Sequence, residues 1–312
     1  MKEKSFISAV VYVRNNEGTI ASFIERLSAF LEDNFDNSEI VCVNDGSCDG
    51  SEEKIKQTAD RIRGTVVSIV NMSYFHGLEL AMNAGVDIAI GDFVVEFDTC
   101  FADYDMSFVM DVYRKVLEGY DVVSAVSDKR ERLSSRLFYK LLEKYSDLSI
   151  ELHTESFRIV SRRMINRIKA MNVTTPYRKI VYASAGLKTA SLSYGAQKSD
   201  VIADKTGKET GEYRKKLATD SLLLFTAVGD KISMGMTILM MAVSILMIVY
   251  TVVVFLIGKP TEGWTTTVLF FSVAFFGLFA ILTIVIKYLQ LILGLVFKRK
   301  QYNFESIEKL TK

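Results

Sequence analysis

The sequence predicts an α/β domain with a mostly parallel sheet, followed by two helices long enough to span a membrane. Two patterns support this prediction. Up to residue 126, short runs rich in valine and isoleucine alternate with stretches of helical periodicity, which is typical of a parallel sheet covered by helices on both faces. Nearer the C-terminus lie two apolar runs without a charged residue, and roughly 20 such residues cross a bilayer as a helix.

The predicted strands are runs of β-branched and aromatic residues with the length of a buried strand. They are Ile7–Val13, Glu39–Val43, Thr65–Val70, Asp92–Phe97 and Asp121–Val126. Between them apolar residues recur at helical spacing, which predicts helices over Ile20–Leu31, Glu53–Ile62, Leu78–Ala89 and Met106–Leu117. In folds of this kind a ligand binds beyond the carboxyl ends of the strands.

Polar segments follow three of these strands. Arg14–Glu17 follows the first strand, residues 44–51 (NDGSCDGS) follow the second, and residues 98–103 (DTCFAD) follow the fourth. Each segment alone is also typical of an ordinary turn, because Asp, Asn, Gly and Ser are turn residues. All three lie at the edge of the sheet where a ligand is expected, and their combination favours a binding site.

Charge and cysteine content exclude several classes of protein. Lys and Arg number 38 and Asp and Glu 37, so the net charge of +1 produces no overall field that would attract nucleic acid. The three cysteines have no C-x-x-C spacing and cannot all pair with one another. They are therefore expected to be free thiols in a reducing compartment.

The two apolar runs predict a helical hairpin in the membrane, with spans of about 234–257 and 265–290. A buried core helix is the alternative for either run. Lys and Arg cluster at residues 205–216 before the first span and at 298–300 after the second, whereas the turn between the spans contains only Lys259. Basic flanks remain in the cytoplasm, so both termini are predicted to be cytoplasmic.

These boundaries divide the chain into four parts. Residues 1–200 form the α/β domain, 201–233 a basic juxtamembrane segment, 234–297 the two transmembrane helices, and 298–312 a basic cytoplasmic tail. The protein is thus expected to be an integral membrane protein with its α/β domain in the cytoplasm.

Motifs in a fixed order resemble the family 2 glycosyltransferases of GT-A fold. Val10–Glu17 resembles the family's V-V-x-P-V-x-N-E, Val43–Ser51 resembles V-D-D-G-S-x-D-G-S, and Asn71–Gly85 resembles the N-x-G-H segment with its later Ala and Gly. Gly91–Asp103 resembles G-D-x-V-x-x-D-x-D-x-Q-D, and Phe157–Arg163 resembles F-R-L-x-x-R-R. With two terminal apolar helices, the chain looks most like the membrane-anchored branch that transfers sugars to or from polyprenyl phosphates, which implies a bacterial inner membrane.

The resemblance implies a nucleotide-sugar site at the sheet edge. Asp45 would accept a hydrogen bond from the base, beside a tight turn at Gly46 and Ser47. Asn16 and Glu17 would hold base and ribose. Asp98 would meet the diphosphate through Mg²⁺ or Mn²⁺, hard ions that prefer oxygen ligands. The implied nucleotide-sugar ligands are Asn16, Glu17, Asp45, Gly46, Ser47 and Asp98.

Three acidic positions of the family pattern are altered here. Asn44 replaces the first acid after the second strand. Cys100 replaces the second acid of the D-x-D motif, and a thiol is a poor ligand for magnesium. Asp103 would then be the second metal ligand beside Asp98, at a site that Cys100 weakens.

The third altered position is that of the general base. Ser156 stands where the family has an acid, and a serine is not a general base at neutral pH. Neighbouring Glu155 is the first alternative, and His153 is a second, although a lone histidine is more often a surface residue. The predicted catalytic residues are Asp98, Glu155 and Arg158.

Basic residues supply further candidates for contact with phosphate or lipid. Arg130, Arg132 and Arg136 lie at the start of an amphipathic stretch and would donate forked hydrogen bonds to a phosphate; a solvated charged face is the equal alternative. Tyr213 and Arg214 lie in the segment that covers the acceptor in relatives, and adhesion to anionic headgroups is the alternative for that segment.

The expected activity is sugar transfer from a nucleotide donor to a polyprenyl-phosphate lipid at the cytoplasmic membrane face. The alternative is a catalytically silent, membrane-tethered relative that binds a nucleotide sugar and acts through a partner. The expected partners are the nucleotide sugar, the lipid, the bilayer and, as an option, a second copy of the chain; nucleic acid is not among them.

Overall fold

The computed structural model of the protein describes residues 2–128, 140, 154–171, 177–196, 228–258, 261–296 and 302–311. Two compact units divide the chain. The first comprises residues up to 220 together with those from 299 onward, and the second comprises residues 221–298.

The first unit is built on one eight-stranded sheet with the order β7-β5-β6-β4-β1-β2-β3-β8. The strands are β1 Ile7–Val13, β2 Ser38–Asn44, β3 Val66–Met72, β4 Phe93–Phe97, β5 Val122–Ser127, β6 Glu155–Ser161, β7 Thr189–Tyr194 and β8 Phe304–Lys309. The centre, β4-β1-β2-β3, is parallel, and β5 is parallel to β7. Antiparallel pairing joins β6 to β4 and β5, and β8 to β3.

The described helices of this unit are α1 Ile20–Asn34, α2 Ser51–Ala59, α3 Leu78–Ile88, α4 Phe108–Leu117, α5 Arg162–Met171 and α6 Arg178–Ser184. The five predicted strands and four predicted helices are all present, with ends shifted by a few residues. The predicted fold class, an α/β domain with a mostly parallel sheet, is therefore confirmed.

Apolar residues cover both faces of the sheet, because consecutive side chains of a buried strand point to opposite faces. Val11 and its neighbours on one face pack with α1 and α4, whereas Val10 on the other face packs with α3 and α5. On that second face α3 lies very close to the sheet. A Cβ on Gly85 would come within 2.5 Å of Val10 Cγ1 and 2.6 Å of Val43 Cγ2, so only glycine permits this approach.

The second unit contains two long apolar helices, α7 Val228–Ile257 and α8 Trp264–Val296. Their apolar segments, Met234–Ile257 and Trp264–Leu289, are 24 and 26 residues long, sufficient to cross a bilayer. Only 11% and 6% of the most apolar stretch of each segment is buried within the structure, whereas a core helix would be mostly buried. Tyr250 of α7 and Trp264, the first residue of α8, make an edge-to-face ring contact.

The C-terminal tail differs from its prediction as a basic extension. Residues Phe304–Lys309 form β8, which pairs with β3 from Ser68↔Lys309 to Met72↔Phe304. β8 is an edge strand in which every residue is at least partly exposed and only Phe304 and Ile307 are apolar. Its sequence therefore carries only a weak strand signal.

Candidate active site

The loops after β1 and β2 are joined by reciprocal hydrogen bonds at the carboxyl edge of the sheet. The Asn15 amide donates to Ser47 Oγ (3.1 Å), and the Cys48 amide donates to Asn15 Oδ1 (2.8 Å). The Asn16 amide donates to Ser51 Oγ at 2.8 Å. The sequence predicted that these segments lie together, and the structure brings them together.

Backbone strain marks this pair of loops. Among described residues other than glycine, Asn15 alone has positive φ, at 51°. That conformation is unfavourable for a residue with a side chain and persists where surrounding contacts fix it. Gly46 also has positive φ (63°), and a Cβ there would lie 3.2 Å from the Phe75 amide nitrogen. Glu17 completes the junction, because its carboxylate accepts the Gly50 N–H at 3.2 Å.

Asp45 lies beneath these loops and is fully buried. Its Oδ1 accepts the His76 amide (2.8 Å), and its Oδ2 accepts the Gly77 amide (2.9 Å) and the Tyr12 hydroxyl (3.0 Å). Burial raises the pKa of the Asp45 carboxyl, and the three donors oppose that rise. The carboxylate thus holds the loop after β3, residues 73–77. Direct contact between Asp45 and a base stays a prediction.

Asn44 explains one departure from the family pattern. Its side-chain amide donates to Asn71 Oδ1 at 2.9 Å, and its Oδ1 accepts the Ser47 amide at 3.2 Å. An aspartate at position 44 could accept from Ser47 but could not donate to Asn71. The amide therefore ties the end of β2 to the end of β3.

Asp45→Ala is expected to weaken nucleotide binding by about 1.5–3 kcal/mol, because two buried backbone amides lose a charged acceptor. Asn44→Ala is the matched neighbour and is expected to weaken binding less, since it removes neutral hydrogen bonds. Calorimetric titration of both variants with UDP and GDP measures the difference. Equal and negligible losses in the two variants would remove Asp45 from nucleotide recognition.

Two buried arginines bind the acidic residues Glu96, in β4, and Asp98, directly after it. Arg158 donates to Glu96 (2.9 Å) and to Asp98 Oδ2 (3.1 Å), while Arg178 donates to Glu96 (2.6 Å) and to Asp98 Oδ1 (2.7 Å). The hydroxyl of Tyr182 donates to the remaining Glu96 oxygen. Both arginines are at most 2% exposed. Their forked guanidinium groups therefore bridge two carboxylates in the interior.

Outer partners complete this group, which we call the arginine cluster. Arg178 Nε donates to Glu79 (2.9 Å), Arg158 Nε donates to Glu155 (2.7 Å), and Lys179 lies 3.8 Å from Glu155. The arginine cluster consists of Glu79, Glu96, Asp98, Glu155, Arg158, Arg178, Lys179 and Tyr182.

Electrostatics in the arginine cluster favour ionised carboxylates. Burial disfavours the charge on Asp98, but Arg178 and Arg158 outweigh it and lower the pKa of Asp98 to about 2. Burial likewise opposes the charge on Glu155, but Lys179 and Arg158 lower its pKa. Glu155 is therefore a carboxylate held by cations, and a carboxylate of lowered pKa is a weak general base.

Several cluster members have no role in the sequence-based site, namely Glu79, Glu96, Arg178, Lys179 and Tyr182. One signal was present for Glu96, the single charged residue in the strand FVVEF. The others gave no signal, because Arg178 joins Asp98 across 80 residues of sequence.

The residues expected to hold a divalent ion are engaged elsewhere. Both oxygens of Asp98 accept from arginines, and the Cys100 thiol, which is buried, lies 3.2 Å from the carbonyl oxygen of Tyr12. Asp103 accepts the Tyr194 hydroxyl at 2.6 Å. Among the described residues, no three His, Cys, Asp or Glu converge as a metal site. This donor set does not fit Mg²⁺ or Mn²⁺.

Ser156, at the position expected to hold the general base, takes part in a hydrogen bond between two neutral hydroxyl groups. Ser156 Oγ lies 2.5 Å from the Tyr194 hydroxyl, the same group that bonds Asp103. Burial raises the pKa of Tyr194 to about 12, so this hydroxyl keeps its proton at neutral pH.

The remaining predicted site residues lie outside the described residues, and they are Arg130, Arg132, Arg136, His153, Tyr213 and Arg214.

The part of the chain that contains these loops and the end of β4 matches a known protein family. Residues 8–168, which include these loops and Asp98, match the model described as glycosyl transferase family 2. This chain belongs to glycosyl transferase family 2.

The similarity of this family 2 chain to individual relatives extends beyond residues 8–168. The glycosyltransferase YkcC of Bacillus subtilis, named as uncharacterized, is 27% identical over 84% of this chain and 81% of its own. The bactoprenol glucosyl transferase of Shigella phage SfV is 28% identical over 87% of this chain and 88% of its own. Among solved structures, a mannosyltransferase of Pyrobaculum calidifontis in complex with GDP-Man and Mn²⁺ has a TM-score of 0.49 at 15% identity, covering 90% of this chain and 88% of that one.

Proposed function

We propose that this family 2 glycosyltransferase transfers a sugar from a nucleotide donor to a polyprenyl-phosphate lipid. The observation that carries the proposal is the arginine cluster, which lies at the carboxyl end of β4 in a family 2 domain. The similarity to a bactoprenol glucosyl transferase over 87% of the chain supports a polyprenyl-phosphate acceptor.

The chemistry requires one substitution at the anomeric carbon. An oxygen of the acceptor phosphate forms the new bond, and the bond from that carbon to the nucleoside diphosphate breaks. Because the phosphate oxygen is already ionised, no side chain needs to remove a proton. Ser156 in place of an acid, and Glu155 held by Arg158, are compatible with this reaction.

Negative charge on the departing nucleoside diphosphate must be stabilised. Arg158 and Arg178 carry planar guanidinium groups that bind phosphate oxygens as pairs of donors. Preorganised donors of this kind are a large source of rate acceleration. We therefore assign leaving-group stabilisation to these two arginines, which would exchange hydrogen bonds with Glu96 or Asp98 for bonds to the phosphates when the donor binds.

Labelled-sugar transfer tests the proposed function. Purified protein in lipid is incubated with radiolabelled UDP- and GDP-sugars and with undecaprenyl or dolichyl phosphate, and labelled lipid is extracted. We expect label in the lipid with one donor, and none when the lipid phosphate is replaced by the free polyprenol, which lacks the ionised oxygen. Transfer to neither lipid with any donor would contradict the proposed activity.

A second function is a silent relative that binds the nucleotide sugar without turnover. The observation that favours it is the engagement of both Asp98 oxygens by arginines, together with Cys100 and Ser156 at acidic positions. The same incubation separates the two functions, because the silent relative would bind a nucleotide in calorimetry and transfer no label.

The connectivity of the sheet supports a hairpin topology in the membrane. The chain enters α7 after the α/β domain and returns after α8 to form β8 in the same sheet, beside β3. If the apolar helices cross a bilayer, both ends of the pair must therefore lie on one side. With the basic flanks, this supports a hairpin whose α/β domain and C-terminal strand are cytoplasmic.

A cysteine introduced as Glu262→Cys, in the turn between the spans, is expected to react with an impermeant maleimide added outside intact cells. Native Cys48 is an internal control, because it is exposed in the α/β domain whereas Cys42 and Cys100 are buried. Cys48 should react only after the cells are opened. Reaction of position 262 only from the cytoplasmic side would contradict the hairpin.

A further inference from the structure

We propose that the C-terminal strand β8 positions the two loops of the nucleotide site, through contacts at His76 and Ser306. This inference rests on the proposed function only for the ligand of those loops; the contacts themselves are independent of it. Strand β8 follows the apolar helices in the chain, so a segment from beyond the hairpin would complete the donor site.

The first connection runs through His76 to Asp45. The backbone N–H of Asn303, just before β8, donates to His76 Nε2 at 3.1 Å, and His76 Nδ1 lies 2.6 Å from the Tyr74 carbonyl oxygen. An acceptor at Nε2 and a donor at Nδ1 define one neutral tautomer. The backbone N–H of the same histidine donates to Asp45 Oδ1. The ring is thus held between β8 and the loop 73–77.

The second connection runs through two asparagines to Ser47. Ser306 Oγ, within β8, accepts from Asn71 Nδ2 at 3.2 Å. Asn71 Oδ1 accepts from Asn44 Nδ2 (2.9 Å), and Asn44 Oδ1 accepts the Ser47 amide (3.2 Å). Asn44 and Asn71 are 5% and 7% exposed, so water does not readily replace these bonds. This path reaches the loop after β2, whereas the first reaches the loop after β3.

Both paths use residues that are far apart in the sequence. Asn303 and His76 are separated by 227 residues, and Ser306 and Asn71 by 235. Pairing of β8 with β3 brings both pairs together at the same edge of the sheet. His76 and Ser306 are therefore positioning residues, which act on the nucleotide through the loops they hold.

Amide hydrogen exchange of the full-length protein tests the positioning directly. In His76→Ala, exchange within residues 73–77 is expected to accelerate about tenfold, as for loss of one hydrogen bond. His76→Gln places an oxygen near the Nε2 position and is expected to restore most protection. Ser306→Ala should accelerate exchange near Ser47, and Ser306→Thr, which keeps the hydroxyl, should not. Glu305→Ala, an exposed position on the same strand, is the matched control and should leave both loops unchanged.

Titration with UDP and GDP, without sugar, measures the consequence for binding. His76→Ala and Ser306→Ala are expected to weaken nucleotide binding about three- to tenfold. In transfer assays the KM for the donor should rise and kcat should be unchanged, which a general loss of folded protein would not produce. Unchanged exchange in both alanine variants would overturn the inference, as would accelerated exchange with unchanged nucleotide affinity. If the wild type binds neither nucleotide, the proposed function fails and the exchange comparison alone decides the role of β8.

Discussion

Replacing Arg178 by alanine is expected to lower the free energy of unfolding by about 3–5 kcal/mol, the usual effect of breaking a buried ion pair from one side. Arg178 is 1% exposed and donates to Glu79, Glu96 and Asp98. Without it, Glu79 loses a guanidinium donor while it remains buried, and Glu96 retains only Arg158 as a cation. Urea unfolding of the detergent-solubilised protein, followed by circular dichroism, measures the change.

Arg114→Ala is the matched control for this loss. Arg114 also pairs with a carboxylate, Asp111, at 3.2 Å, but the two side chains are 68% and 56% exposed. Because exposed ion pairs contribute little, we expect at most about 1 kcal/mol. Similar losses in the two variants would contradict the assignment of Arg178 to a buried, tightly coupled cluster.

Asp98→Ala is expected to reduce kcat/KM for sugar transfer by at least about a hundredfold. Asp98 orients Arg158 and Arg178 by accepting one hydrogen bond from each, and these are the groups assigned to the leaving diphosphate. The measurement is transfer of labelled sugar to lipid, for wild type and variant, with Mg²⁺ and with EDTA. Circular dichroism of the variant serves as the control for an intact fold.

The two metal conditions make the result specific. If the arginines supply the charge, wild-type transfer should persist in EDTA, and Asp98→Ala should be impaired in both conditions. Full turnover of Asp98→Ala in EDTA would contradict the positioning role of Asp98. Loss of wild-type activity in EDTA would contradict the assignment of leaving-group stabilisation to the arginines alone.

Local sequence patterns were sufficient for much of the fold. Runs such as Ile7–Val13 are apolar throughout because both faces of a parallel sheet are covered, and this pattern holds whatever the partner strands are. The apolar segments in α7 and α8 are equally local signals, since their length and lack of charge suit a bilayer by themselves. The gathering of the loops after β1 and β2 also followed from strand direction, without knowledge of any contact.

Local sequence patterns did not predict the partners of individual side chains, as Asp45, Asp98 and Cys100 illustrate. The sequence identified all three positions and assigned them by family resemblance to base, metal and a lost metal ligand. In the structure, Asp45 accepts backbone amides, Asp98 accepts two arginines, and the Cys100 thiol lies against the carbonyl of Tyr12. Each partner comes from another element, so no local pattern specifies it.

The sequence by itself determined the α/β class, the two apolar helices and the edge of the sheet at which the polar loops meet. Those features depend on periodicity and composition, which act over a few residues at a time. The tertiary structure alone decided the order of the strands in the sheet, the pairing of Arg178 with Asp98, and the return of β8 to β3 beside the loop 73–77. The last two choices join residues 80 to 241 positions apart, where packing of the whole sheet, and not local propensity, selects the partner.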